Sequence, residues 1–239
     1  MQGERLLRLG VGAARKQQRL EAALAGRERD EQLQAGLAAA VADAQLLGSL
    51  QLAGVDCDWA EVVASRVGDA GSPALTGLRR TAGLVDPRAP LDVSALMAWH
   101  GALLNAPARF RQGPGPRPAG PPTAPPELIA GRLELLVAWL QADSSAALEP
   151  SRLGALALAR LVEIAPFEDG NGRVARLAAA HLIVRAGGRP PILVGADRGR
   201  LEQCLQAAFR LQTEPLVALL DEASERALDV MLQVLEGRG

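Results

Sequence analysis

The chain has 239 residues, 49% of them hydrophobic, enough for one large domain with a sizeable core. Its 26 basic and 27 acidic residues leave a formal charge of −1, which excludes the strongly basic footprint of a general nucleic-acid binder. The two cysteines, Cys57 and Cys204, lie far apart without metal-ligand spacing and read as reduced thiols.

Tyrosine is absent, aromatic residues make up 3%, and alanine and leucine abound, a composition that favours an all-α protein. No run approaches 18 consecutive apolar residues, and the start, MQGERLLRLGVGAARK, has no apolar h-region. Neither a signal peptide nor a membrane-spanning helix is expected, and the expected compartment is the cytoplasm.

Apolar residues recur at helical spacing along most of the chain. Leu37, Val41, Ala44 and Leu47 mark the end of a long N-terminal helix. Trp59, Val62, Val63 and Val67 predict a short one, and Val93, Leu96, Met97, Leu103 and Leu104 another, opened by Asp92 as N-cap. Further stripes run over Ile129–Leu140, Leu153–Ile164, Val174–Leu182, Leu201–Phe209 and Leu216–Val234. The clearest breaker is QGPGPRPAGPPTAPP at 112–126, read as a loop within one domain because helices flank it on both sides. Gly187-Gly188-Arg189-Pro190-Pro191 stops the helix that begins near Asn171.

Residues 161–177 read LVEIAPFEDGNGRVARL. An apolar helix ends at Ile164, Pro166 blocks its continuation, and Asp169-Gly170-Asn171-Gly172 forms a turn before the next helix. Glycines let the backbone approach a ligand closely, and successive N–H groups at a helix start cradle anions. Arg173 and Arg176, three apart, share one face near that positive end, and such a pair of forks suits a di- or triphosphate. A carboxylate at Asp169 beside the cradle fits a ligand of phosphate-bound Mg²⁺.

This segment resembles the active-site motif of the Fic family, His-x-Phe-x-(Asp/Glu)-Gly-Asn-Gly-Arg-x-x-Arg. Phe167, Asp169, Gly170, Asn171, Gly172, Arg173 and Arg176 match, whereas the family His is Ala165 here. LDVSALMAWHGALL, ARFR and PPELIAGRLELLVAWL also resemble the Fic core, so the likeness covers about residues 90–210. It implies a Fic-type helical bundle, with N-terminal helices over 1–89 and the core with C-terminal helices over 90–239, packed as one globular unit.

The resemblance further implies transfer of AMP from ATP, with Mg, onto a hydroxyl of a target protein. Asp169 would hold the metal, Arg173 and Arg176 the phosphates, Gly170–Gly172 the anion hole, and Phe167 would anchor the loop. Ala165 cannot take a proton, and a missing general base lowers rates by about 10²–10⁴-fold. His100 and His181 are expected to be packing residues rather than substitutes. Removal of AMP, transfer of another phosphate-containing moiety, or a non-catalytic nucleotide sensor are the alternatives. No nucleic-acid or membrane partner is expected, and the oligomeric state stays open.

Many Fic proteins also carry an inhibitory helix, (Ser/Thr)-x-x-x-Glu-(Gly/Asn), whose Glu pairs with the second motif arginine. Residues 49–54 read SLQLAG, so Ser49 and Gly54 match and Ala53 stands in the Glu position. Every other motif position is intact, which favours deliberate substitution at 53 and 165 over natural loss. A family flap, usually a β-hairpin that pairs with target, should fall between Arg111 and Pro125. That stretch is rich in Pro and Gly and lacks Val, Ile, Tyr and Phe, predicting a loop or vestigial hairpin. Arg109 and Arg111 are left as contacts to target or nucleotide, or as the structural base of the loop.

Overall fold

The computed structural model describes residues 11–27, 29–67, 71–115 and 123–237. Its α-helices are α1 (Val11–Leu24), α2 (Glu31–Leu52), α3 (Trp59–Ala64), α4 (Pro73–Ala82), α5 (Val93–Leu104), α6 (Ile129–Leu140), α7 (Asp143–Ala146), α8 (Pro150–Ile164), α9 (Asn171–Arg185), α10 (Arg198–Ala208) and α11 (Glu214–Leu235). No strand occurs among the described residues, as the composition predicts.

Helix starts follow local chemistry. Asp92 opens α5 by accepting from the Ala95 N–H at 2.7 Å, the cap expected from sequence. Asp58 and Glu61 form a reciprocal capping box at α3. Ser72 caps α4 with Pro73 in its first turn. This helix was missed at the sequence level, although Ser-Pro followed by Leu75 and Leu78 carries both a start signal and a buried face.

The core centres on α8 and α9, which pack along their lengths. Ala155, Ala157, Leu158, Ile164, Ala178, Ala179 and Leu182 are buried between the helices around them. The same cluster takes in Leu46 and Leu50 of α2, Leu75 and Leu78 of α4, and Leu216, Leu219 and Leu220 of α11. α2 is therefore part of the core rather than an appendage. At Gly48 an added Cβ would lie 1.7 Å from the Leu193 carbonyl oxygen, so only glycine lets α2 sit this close to the 192–194 segment.

By length and composition alone α2 is apolar enough to cross a membrane. In this fold it buries Leu37, Ala40, Val41, Leu46 and Leu50, and the core helix of a globular protein satisfies the same criterion. Its Asp43, 1% exposed, takes Arg66 at 2.6 Å and Arg79 at 2.9 Å. Arg79 also donates to the Val62 carbonyl and the Ser65 hydroxyl. The acid thus joins α2, α3 and α4, and its burial is tolerable because both carboxylate oxygens are paired.

Candidate functional site

α8 ends where the sequence predicts. Ala165, 2% exposed, takes the left-handed conformation (φ 45°, ψ 65°), and its N–H closes the helix on Leu161 at 2.9 Å. The chain then turns through Pro166, buries Phe167 completely, and enters α9 at Gly170 (φ 78°). A Cβ at Gly170 would be both strained and 3.0 Å from a Leu103 methyl, so glycine is required there.

Asn171 ties this loop to itself. Its Oδ1 accepts from the Phe167 N–H at 2.9 Å, and its Nδ2 donates to the Phe167 carbonyl at 2.7 Å. Both ends of the amide being engaged, Asn171 can offer a ligand its backbone N–H rather than its side chain. No side chain caps α9, which leaves the first-turn N–H groups without a side-chain acceptor at the positive end of the helix dipole.

Two arginines frame that helix end. Arg173 pairs with Asp169 at 2.9 Å, and the Asp169 side chain is 73% exposed. Arg176 lies beside Gly172, with Nη1 3.1 Å from where a Cβ would stand. Its Nη2 donates to the Ser49 carbonyl at 2.9 Å and hydroxyl at 3.1 Å, and its Nε to the same hydroxyl at 3.2 Å. Burial pushes the Arg176 guanidinium from 12.5 down to about 10, with Arg173 and Arg198 adding repulsion. It remains a cation at neutral pH. A cavity of about 80 Å³ opens behind the pair, with Gln45, Ser49, Arg173, Arg176, Leu177 and Ala180 on its wall.

Ser49 and Ala53 are one turn apart on α2, the Ala53 N–H meeting the Ser49 carbonyl at 3.2 Å. Ala53 is the exposed C-cap of the helix, and Gly54 (φ 82°) follows in the left-handed conformation of an ordinary helix stop. Arg198, which carried no signal in the sequence, donates to the Gln51 carbonyl, and the Gly195 N–H donates to Gln51 Oε1 at 3.2 Å. The last turn of α2 is held from two sides, by Arg176 and by the 195–198 segment.

Arg111 belongs to the scaffold. It is 1% exposed, and its guanidinium donates to the carbonyls of Ala165 (2.7 Å), Gly113 (2.6 Å), Ile164 (3.3 Å) and Ala124. Its own N–H meets the Pro166 carbonyl at 2.9 Å. Of the two roles left open by the sequence, the structural one holds for Arg111; Arg109 makes no such contact. The flap expected between Arg111 and Pro125 shows no strand at 112–115 or 123–125, and 116–122 lie outside the described residues.

His100 and His181 are both buried, as expected of packing residues. His181 meets Trp99 edge to face, 5.6 Å between centroids. His100 does more than fill space, since it stacks on Phe167 and bonds to the Asp169 carbonyl. Glu168 points away from the cradle and accepts from the Gln112 N–H at 3.3 Å.

Residues 90–183 match the model of the Fic/DOC family. A relative in Culex quinquefasciatus named protein adenylyltransferase Fic is 39% identical over 94 residues, which are 39% of this chain and 19% of that protein. The Drosophila melanogaster protein of the same name is 37% identical over the same extent. The stretch shared with these relatives is thus about a fifth of their length. Among solved structures, a Fic domain-containing signaling protein from Bacteroides thetaiotaomicron superposes with a TM-score of 0.76 at 20% identity, covering 94% of this chain and 99% of that one. Fic-1 (residues 134–508) from C. elegans gives 0.72 at 20% identity, covering 82% and 63%. These two likenesses carry the fold, and the sequence likeness to the Fic/DOC family is carried by residues 90–183.

Proposed function

We propose that this chain is a Fic-type protein nucleotidyltransferase that uses ATP with Mg²⁺ to place AMP on a target-protein hydroxyl, with the proton-accepting position silenced by Ala165. The observation that carries the reading is the uncapped start of α9 framed by Arg173 and Arg176, the second of which pairs with no carboxylate among the described residues. A half-buried cation whose partners are a serine hydroxyl and a carbonyl is prepared for an anion. Relatives named protein adenylyltransferase support a nucleotide as that anion.

The residues present fit Mg²⁺ in the way phosphate-bound magnesium is usually held, by one carboxylate together with phosphate oxygens and water. Asp169 supplies the carboxylate, exposed at the edge of the cradle. No group of three or more His, Cys, Asp or Glu able to hold a metal occurs among the described residues, so the ion would arrive with its nucleotide. It would neutralise phosphate charge, while Arg173 and Arg176 orient the chain of phosphates and the N–H groups of α9 take the developing negative charge.

Position 165 is suited to the missing group. Its left-handed backbone is uncommon for most residues, and histidine is among those enriched there. Ala165→His should therefore fold and transfer label from [α-³²P]ATP to itself or to lysate proteins, with the present chain lower by at least about 10²-fold. Ala165 itself favours a second reading, a nucleotide sensor without chemistry. A folded Ala165→His protein that binds ATP yet transfers nothing from any nucleotide would establish the sensor. Absence of ATP binding at millimolar concentration would remove both.

A further inference from the structure

His100 of α5 stands beneath the phosphate cradle without belonging to the motif. Its ring lies parallel to that of Phe167, 3.7 Å between centroids at 10°. Its Nε2 is 3.1 Å from the Asp169 carbonyl oxygen. A carbonyl only accepts, so Nε2 carries the proton. Nδ1 is then a bare lone pair, and it is buried without a partner. That is an expense a packing role alone does not explain, because phenylalanine would stack as well and leave nothing unsatisfied.

The bond has a directional consequence. In a planar trans peptide the carbonyl and the next N–H point in opposite directions. Drawing the Asp169 carbonyl down onto His100 aims the Gly170 N–H away from α5. The same ring lies 3.5 Å from where a Gly170 Cβ would be, so it also sets the depth of the turn.

We propose that His100 is the positioning residue of this loop: its Nε2–H fixes the Asp169–Gly170 peptide so that the N–H groups entering α9 face the bound phosphate. The proposal rests on the reading of this loop as a phosphate cradle.

Three measurements decide it. In the unmodified chain, ¹⁵N shifts of the His100 ring should report the Nε2–H tautomer, and an Nδ1–H tautomer overturns the proposal. Amide hydrogen exchange at Val174, whose N–H meets the Gly170 carbonyl at 3.0 Å, should accelerate about tenfold in His100→Phe, which keeps the stack and loses the donor, and return to within about threefold in His100→Gln, which keeps a donor. Equal exchange in the Phe variant and the unmodified chain overturns it. Titration with inorganic pyrophosphate should show the same order, His100→Phe about tenfold weaker at an unchanged Tm. If the unmodified chain binds no pyrophosphate, the cradle reading fails, and the exchange result still decides whether His100 positions the loop.

Discussion

Arg176 crosses from α9 to Ser49 of α2 and holds both its carbonyl and its hydroxyl, at 2.9 and 3.1 Å, with no carboxylate in the arrangement. The end of one helix thus serves as a weak counter-charge for a cation at the start of another. Such a contact can be exchanged for a phosphate without separating an ion pair. Arg198 strengthens the link by binding the same turn of α2 through Gln51.

A carboxylate added one turn beyond Ser49 should convert this weak contact into a strong one. Ala53→Glu, made together with Ala165→His, is expected to lower AMP transfer by about tenfold or more, since about 1.4 kcal/mol corresponds to one decade. ATP should lose more affinity than ADP, because the terminal phosphate competes for Arg176. Unchanged transfer in a label assay, with unchanged ATP binding by calorimetry, would show that SLQLAG is only the end of a helix.

Arg111 should be among the least replaceable residues outside the motif. Lysine keeps the charge but has three donors on one nitrogen and cannot reach four carbonyls spread over Gly113, Ala124, Ile164 and Ala165. Arg111→Lys is expected to cost about 2–4 kcal/mol in urea unfolding, the range for leaving buried polar groups unpaired. A cost below about 0.5 kcal/mol would mean that these carbonyls find water instead.

The backbone at position 165 gives a stability prediction independent of catalysis. Ala165 sits at φ 45°, where a Cβ costs about 1–2 kcal/mol, while glycine loses roughly 0.5–1 kcal/mol through its freer unfolded chain. Ala165→Gly should therefore be neutral to about 1 kcal/mol more stable. A clear loss in thermal unfolding would show that the methyl packs well enough to outweigh the strain.

The two histidines predict an acid-side loss of stability. Burial is the largest cause pushing both His100 and His181 below 6.5, Arg173 and Arg185 respectively adding to it. Near His181, the Ala89 backbone and Asp86 oppose the shift, though no hydrogen bond of normal geometry reaches either ring nitrogen. Below pH 6.5 the unfolded chain takes protons that the folded one refuses, so stability falls as pH drops from 6.5 toward the lowered folded values, and is fully present above 6.5. Urea midpoints at pH 7.5 and 5.5 measure the drop, and His181→Phe should reduce it. An equal drop in that variant would assign it to His100 or to carboxylates.

Most helices were legible in the sequence because apolar spacing and caps agree: Asp92 opens α5, Ile164 ends α8, Asn171 opens α9. The turn between α8 and α9 was legible because it is local, seven residues whose types each have a reason. What could not be read is what comes from elsewhere in the chain. Arg198 meets Gln51 across 147 positions, and Arg111 meets Ala165 across 54, by contacts that leave no periodicity behind. His100 was visible but ambiguous, since a histidine on an apolar helix reads as filler until its ring is seen on Phe167. The helix stop at Gly54 places residue 53 at the end of α2, while the contact of Ser49 with Arg176 depends on how α2 packs on α9.

Arg111 grips the chain at Gly113 and again at Ala124. The two ends of the stretch between those points are therefore held by one side chain. For such a loop, doubling the length costs only about 0.6 kcal/mol of closure entropy. Insertions and rewrites between Gly113 and Ala124 are consequently nearly free as far as the cradle is concerned. Changes between those two anchors need not disturb the end of α8, the turn or α9, with a guanidinium acting as the boundary between them.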